Sequence, residues 1–150
     1  MDGVRVLMSE GSSLTAREVL TCVGLGGHHA EALDPDALCT ARFSRWTRKV
    51  RSCPRSGTDP LGYLHNLKQV VAERGIDVVL ATHEQARLCA AAAPVLSAVP
   101  VAVADTALFD RVQSKIEFAR LLDELGLPQP RWRLTTDTMD TVRAAVESDP

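Results

Sequence analysis

Two short segments carry side chains whose types and spacing could do chemistry. The first, Ser9-Glu10-Gly11-Ser12-Ser13, follows an apolar run and precedes a helical pattern. Backbone N–H groups at a helix start, with the helix dipole behind them, favour an anion. Glu10, Gly11, Ser12 and Ser13 are therefore candidate substrate contacts. The segment is neither a G-x-G-x-x-G fingerprint nor a Walker P-loop, and a capped strand-to-helix turn without a ligand explains it equally well. The second segment, Thr82-His83-Glu84, places a hydroxyl, an imidazole and a carboxylate in a row. Such a trio could bind a polar substrate or act as an acid–base pair. Helix capping by Thr82, and the preference of acids for a first helical turn, account for the same residues.

Other chemically suggestive residues weigh less. Gly24-x-Gly26-Gly27 ends a helical pattern, so it cannot present helix N–H groups to a phosphate. His28-His29 opens a strand and has no evident partner ligands. The four cysteines, Cys22, Cys39, Cys53 and Cys89, form no C-x-x-C pair. They read as buried free thiols of a reducing compartment, Cys22 and Cys89 within apolar helical patterns. Arg42, Arg45, Arg48, Lys49, Arg51 and Arg55 form a basic stretch with Phe43 and Trp46 interleaved, and no acid lies between Ala37 and Thr58. That mixture could attract an acidic substrate, dock on another domain or contact nucleic acid. One short cluster in a chain of net charge −2 favours a solvated face or a domain contact over nucleic acid.

Composition sets the frame for these residues. The 150 residues suffice for one ordinary core, and 45% apolar with 24% charged residues is globular. No apolar run approaches the roughly 20 residues of a membrane helix, and the start has no basic segment leading into a long apolar one. The expectation is a cytoplasmic protein with no membrane partner.

The elements that must position the candidates alternate between strand and helix. Val4 to Met8 reads as a first, central strand. Thr15-x-x-Glu18 reads as a capping box, with Ala16, Val19, Leu20 and Val23 on one helical face. His28 to Leu33 is a second strand. Phe43 to Trp46 is a helical turn and Lys49 to Ser52 a short edge strand. Asp59-Pro60 opens a helix whose Leu61, Leu64, Leu67 and Val71 share a face, and Gly75 stops it. Ile76 to Ala81 is the strongest strand. Thr82-x-x-Gln85 reads as another capping box, with a helix through about Ala93, and Val101 to Ala104 as a strand. A helical turn at Ala107 to Arg111 follows. Ser114-x-x-Glu117 caps a helix with Ile116, Ala119, Leu122 and Leu125 facing inward, and Gly126, Pro128 and Pro130 end it. Arg131 to Leu134 reads extended, and Asp137 caps a last helix over Thr138 to Glu147. This alternation predicts an α/β fold, a Rossmann-like doubly wound parallel sheet with helices on both faces. Binding loops then lie at the carboxyl ends of the strands, which selects Ser9 to Leu14 and Thr82 to Gln85.

The segment Asp105 to Trp132, with Ser114-Lys115 opening a helix and Gly126-Leu127-Pro128-Gln129-Pro130 closing it, resembles the junction between the N-terminal and ATP-binding domains of ATP-grasp ligases. Carbamoyl phosphate synthetase large subunits, biotin carboxylases and D-alanine–D-alanine ligases share that arrangement. The upstream half looks like the pre-ATP-grasp domain, and Asp77 to Glu84 resembles its strand and acid-bearing turn. The resemblance implies a Rossmann-like domain over residues 1–112 and the start of a truncated ATP-grasp domain over 113–150. It implies that Lys115 binds nucleotide phosphate; Ser114 stands where many relatives carry Asp, and caps equally well. It also implies a parent enzyme that uses ATP and Mg2+ to join a small-molecule carboxylate to an amine or thiol through an acyl phosphate. The fragment, lacking the catalytic half, would neither turn over nor bind ATP tightly. A homodimer is compatible with this reading. The rival readings are a stand-alone module for a small anion or nucleotide, and an interaction domain using the Arg42 to Arg55 face.

Overall fold

The computed structural model describes residues 3–132 and 134. The chain divides into two compact units, residues 1–109 and 110–150. The first is built on a five-stranded, all-parallel sheet: β1 (Arg5–Met8), β2 (His29–Leu33), β3 (Thr47–Arg51), β4 (Val78–Leu80) and β5 (Val101–Ala102) in the order β3-β2-β1-β4-β5. The first strand is central, as its unbroken apolar run requires. The helices of this unit are α1 (Leu14–Leu25), α2 (Pro60–Arg74) and α3 (His83–Ala91), with a short 3-10 turn at Thr40–Phe43. A further helix, α4 (Thr106–Gln113), runs from the first unit into the second, and α5 (Lys115–Glu124) lies in the second.

Side-chain alternation along the strands feeds two cores. Leu7 and Val79 pack with Tyr63, Leu64, Leu67, Val70 and Val71 of α2 and Cys89 of α3. Met8, Ala30 and Ala32 pack with Ala16 and Leu20 of α1 and with Ala41. The small alanines of β2 let α1 and the 3-10 turn approach closely. Because chain order reverses between β1 and β4, their carboxyl ends flank the crevice where open α/β sheets bind ligands.

Several local expectations change. The cap of α1 is Ser13, whose hydroxyl accepts from Ala16 N–H, so the helix starts one residue before Thr15 and no box forms with Glu18. The helical turn expected at Phe43 to Trp46 sits at Thr40–Phe43 instead, and the edge strand begins at Thr47. Leu61 is solvent-exposed, because it falls in the first turn of α2 beyond the sheet. Cys22 is exposed, while Cys39, Cys53 and Cys89 are buried, and all four are free thiols. Gly24 lies inside α1, where a Cβ would stand 2.5 Å from the Trp46 ring. Asp59 caps α2 through its carboxylate, and Gly75 ends it in the left-handed region at φ 58°. In the second unit Ser114 caps α5, but no residue of α5 is buried, so Ile116, Ala119, Leu122 and Leu125 do not face a core. The expected helix over Thr138 to Glu147 lies outside the described residues.

Candidate functional site

The site is assembled where the β1 and β4 loops meet. Ser9 N–H donates to Leu80 O (3.0 Å), extending the β1–β4 pairing by one step. Ser9 Oγ then accepts from Thr82 N–H (3.0 Å), and Ser9 O accepts from the Tyr63 hydroxyl (2.8 Å). Tyr63 is 1% exposed and reaches up from α2. Burial pushes its ionisation far above the usual phenol range, which keeps it a neutral donor.

Glu10 fills the centre. It is 7% exposed. One carboxylate oxygen, Oε2, accepts from Ser12 N–H and Ser13 N–H, each at 2.9 Å. The other, Oε1, accepts from the Ser13 hydroxyl (2.6 Å) and the Thr82 hydroxyl (3.1 Å). Burial alone would raise the Glu10 pKa, but the bonds from Ser13, Thr82 and Ser12 outweigh it and hold it below the usual carboxylate value. Asp34, 3% exposed at the end of β2, completes the lattice. Its Oδ2 accepts from Gly11 N–H (2.9 Å) and Ser12 Oγ (2.8 Å), and its Oδ1 from Asp36 N–H (2.8 Å). The N–H groups of Gly11, Ser12 and Ser13 therefore already bond internal carboxylates. Gly11 is glycine for packing reasons: a Cβ would lie 2.9 Å from Ala41 Cβ and 3.0 Å from Cys39 Sγ.

Thr82 takes the N-cap position of α3 without capping it. Its N–H and hydroxyl are both engaged by the β1 loop, so the box expected with Gln85 does not form. Gln85 Oε1 is buried without a protein partner among the described residues. His83 follows at φ 50°, the only left-handed non-glycine described. That conformation costs an L-residue about 1–2 kcal/mol, and strain of this kind clusters at functional sites. His83 and Glu84 are exposed, at the mouth of the crevice. Thus Glu10, Gly11, Ser12, Ser13 and Thr82 come together in one hydrogen-bonded group, with His83 and Glu84 on its rim.

Lys115 belongs to the second unit. It is the first residue of α5, exposed, and without an ion-pair partner among the described residues. The turn after α5 is fastened to it: Gln129 Nε2 donates to Ala119 O (2.9 Å), and Trp132 Nε1 to Asp123 Oδ2 (3.1 Å). Among the described residues no three His, Cys, Asp or Glu side chains cluster to hold a metal ion. No described helix is long and apolar enough to cross a membrane.

Sequence reasoning selected the loop that begins at Ser9 but passed over Asp34 and Tyr63. Asp34 had a signal, being an acid at the carboxyl end of the second parallel strand, a position that commonly faces the ligand crevice. It also passed over Glu31, inside β2, whose carboxylate pairs with Arg51 and with Arg74 (3.2 Å). Burial works against ionisation there, but the two guanidinium groups keep the Glu31 pKa low. Arg51 is thus engaged inside the first unit and is no member of a free basic face.

No protein-family model and no curated protein matches the chain. Solved structures do. An N5-carboxyaminoimidazole ribonucleotide synthetase in complex with ADP superposes at TM-score 0.65 and 18% identity, covering 100% of this chain and 37% of that one. An L-amino acid ligase from Bacillus licheniformis matches at TM-score 0.64 and 14% identity, covering 98% and 42%. The biotin carboxylase domain of a single-chain bacterial carboxylase matches at TM-score 0.59 and 18% identity, covering 97% and 34%. These are ATP-grasp enzymes, and the chain aligns with their amino-terminal parts. The fold matches that of the N-terminal domains of ATP-grasp ligases, and the chain spans 34–42% of the length of these structures.

Proposed function

We propose that this chain is the substrate-side, amino-terminal part of an ATP-dependent ligase that joins a carboxylate to an amine or thiol through an acyl phosphate. The observation that carries the reading is the combination of fold and junction: a fold shared with amino-terminal ATP-grasp domains over nearly the whole chain, which includes a capped helix beginning with a lysine that has no ion-pair partner among the described residues. A cation in the first turn stands at the unfavourable end of its own helix dipole. A phosphate would relieve that, and a flexible ammonium suits one. Residues 1–112 would form the pre-ATP-grasp domain and 113–150 the start of the ATP-grasp domain.

Lys115 would hold nucleotide phosphate, and ATP with Mg2+ would supply the activating phosphoryl group. Lys115 would be this chain's partner for the phosphate, and the ATP-grasp half would supply ligands for the magnesium. Around the small-molecule carboxylate, His83 and Glu84 would make direct contacts. Glu10, Gly11, Ser12, Ser13 and Thr82 would hold the crevice in shape, with Ser12, an exposed residue whose hydroxyl is bonded to Asp34, also beside the substrate. A cytoplasmic enzyme with no nucleic-acid or membrane partner fits this reading, and a homodimer is compatible with it.

The test is made on the chain joined to its ATP-grasp half. Lys115→Ala should weaken ATP binding by about tenfold or more, the loss of one charge-assisted phosphate contact, and hydroxylamine should trap an acyl phosphate in the unsubstituted protein. Unchanged ATP affinity would remove the role of Lys115, and ATP turnover without a trappable acyl phosphate would remove the reaction class.

A further inference from the structure

One cleft lies outside the β1–β4 crevice and has no part in the ligase reading. It opens between α1 and the segment joining β2 to β3, has a volume of about 510 Å³, and is lined by Arg17, Thr21, Thr40, Phe43, Ser44, Arg45 and Trp46. That volume is of small-molecule size. Its construction follows from helical spacing. Arg17, Thr21 and Gly24 recur at i, i+4 and i+7, so they form one ridge of α1. Gly24 lacks a side chain, and the Trp46 indole lies where a Cβ would be, within 2.5–2.7 Å of that position. Trp46 is thereby seated on α1. Arg45 is held over its ring, with the guanidinium carbon 4.6 Å from the centroid. That stacking pre-orients a planar, two-pronged donor.

Two further features have no internal explanation. Phe43 is 74% exposed, although its neighbour Ala41 is buried in the core. Among the described residues, no carboxylate pairs with Arg17 or Arg45, nor with Arg42, Arg48 or Lys49 in the adjoining cleft. Solvent-exposed guanidinium groups without a carboxylate partner, beside an exposed aromatic ring that lines the same cleft, suit a ligand that carries both a ring and an anion.

We propose that this cleft binds a small aromatic or heteroaromatic phosphate ester. Its ring lies against Phe43, and its phosphate is gripped by Arg17 from α1 and by Arg45 from its stacked position on Trp46. A ring without the anion leaves two cations unsatisfied, and an anion without the ring leaves Phe43 in water.

Trp46 reports the binding directly. With Trp132→Phe removing the other tryptophan, the 150-residue chain is titrated with phenyl phosphate, inorganic phosphate and phenol at low and physiological salt. Phenyl phosphate should give a saturable change in Trp46 fluorescence, with affinity at least about tenfold above that for phosphate or phenol alone. Arg17→Ala and Phe43→Ala, both at exposed positions, should each weaken it severalfold while leaving the circular dichroism spectrum and Tm unchanged. Three results overturn the proposal: no saturable change with phenyl phosphate, equal affinity for inorganic phosphate, or undiminished binding in both variants. Tight binding of an acidic peptide or an oligonucleotide that phenyl phosphate does not displace would also overturn it, and would assign the basic segment to a macromolecule.

Discussion

Glu10 explains why the β1 loop holds its shape. Four donors converge on a carboxylate that is almost wholly removed from water, and two of them are the N–H groups an incoming anion would otherwise use. The substitutions Glu10→Gln and Glu10→Ala separate the contributions. Glutamine keeps one acceptor oxygen for Ser12 and Ser13, while the Ser13 and Thr82 hydroxyls can rotate to accept from its amide, so the cost should be about 1 kcal/mol. Alanine leaves both part-buried N–H groups without their acceptor and should cost about 2–6 kcal/mol, at about 1–3 per orphaned group. The pH dependence has a definite sign. The folded pKa of Glu10 is depressed, so on acidification the unfolded chain takes up the proton first, near its value of about 4.3. The stability Glu10 contributes is complete above that pH and is lost as pH falls through the depressed folded value. Urea midpoints at pH 7 and between pH 5 and 3 should show a smaller acid loss in the glutamine variant than in the unsubstituted chain. What remains belongs largely to Glu31, depressed by Arg51 and Arg74. An identical acid limb in both proteins would remove Glu10 as its source.

At the level of elements, the sequence was legible where one local rule decided the outcome. Asp59-Pro60 and Gly75 bound α2 as capping chemistry requires, and the apolar run of β1 placed it at the centre of the sheet. It was illegible where a distant partner outbid the local rule. Thr82 reads as a cap, yet its hydroxyl is taken by Glu10, 72 residues away in sequence. Thr15 reads as a cap, yet Ser13 is better placed because its hydroxyl joins the same carboxylate. Glu31 in the middle of a strand gave no local sign of its two arginines, since β3 and α2 meet it only through the fold. Gly24 is the sharpest case. A glycine within a helix ordinarily costs about 0.5–1 kcal/mol relative to alanine, so Gly24→Ala should stabilise a helix considered alone. Here the new methyl would stand 2.5 Å from the Trp46 ring, and displacing a ring that anchors the β2–β3 connection costs about 1–3 kcal/mol. The variant should therefore unfold at a lower urea concentration, with a changed Trp46 emission. A gain in stability would show that Trp46 moves aside freely.

At the scale of the whole chain, the two units differ in what protects them. The first has two cores, one on each face of its sheet, and a crevice locked by buried carboxylates. In the second, α5 has no buried residue, and Leu125 and Leu127 are 61% and 49% exposed. Its described ion pairs, Arg120 with Glu117 and Arg111 with Glu124, are solvent-exposed and contribute little. Helices of about ten residues are marginal in water without a packed face, so α5 should open locally far more often than the sheet does. Amide exchange on the 150-residue chain tests this: β1, β4 and α2 should exchange only with global unfolding, while α5 should exchange orders of magnitude faster. Joining the chain to an ATP-grasp half should then slow α5 towards the rate of α2, because the apolar side chains that α5 now exposes would gain a core. Protection of α5 equal to that of α2 in the 150-residue chain would show that the helix is already complete. Unchanged fast exchange in the joined protein would deny that α5 is the seam between the two halves of a ligase.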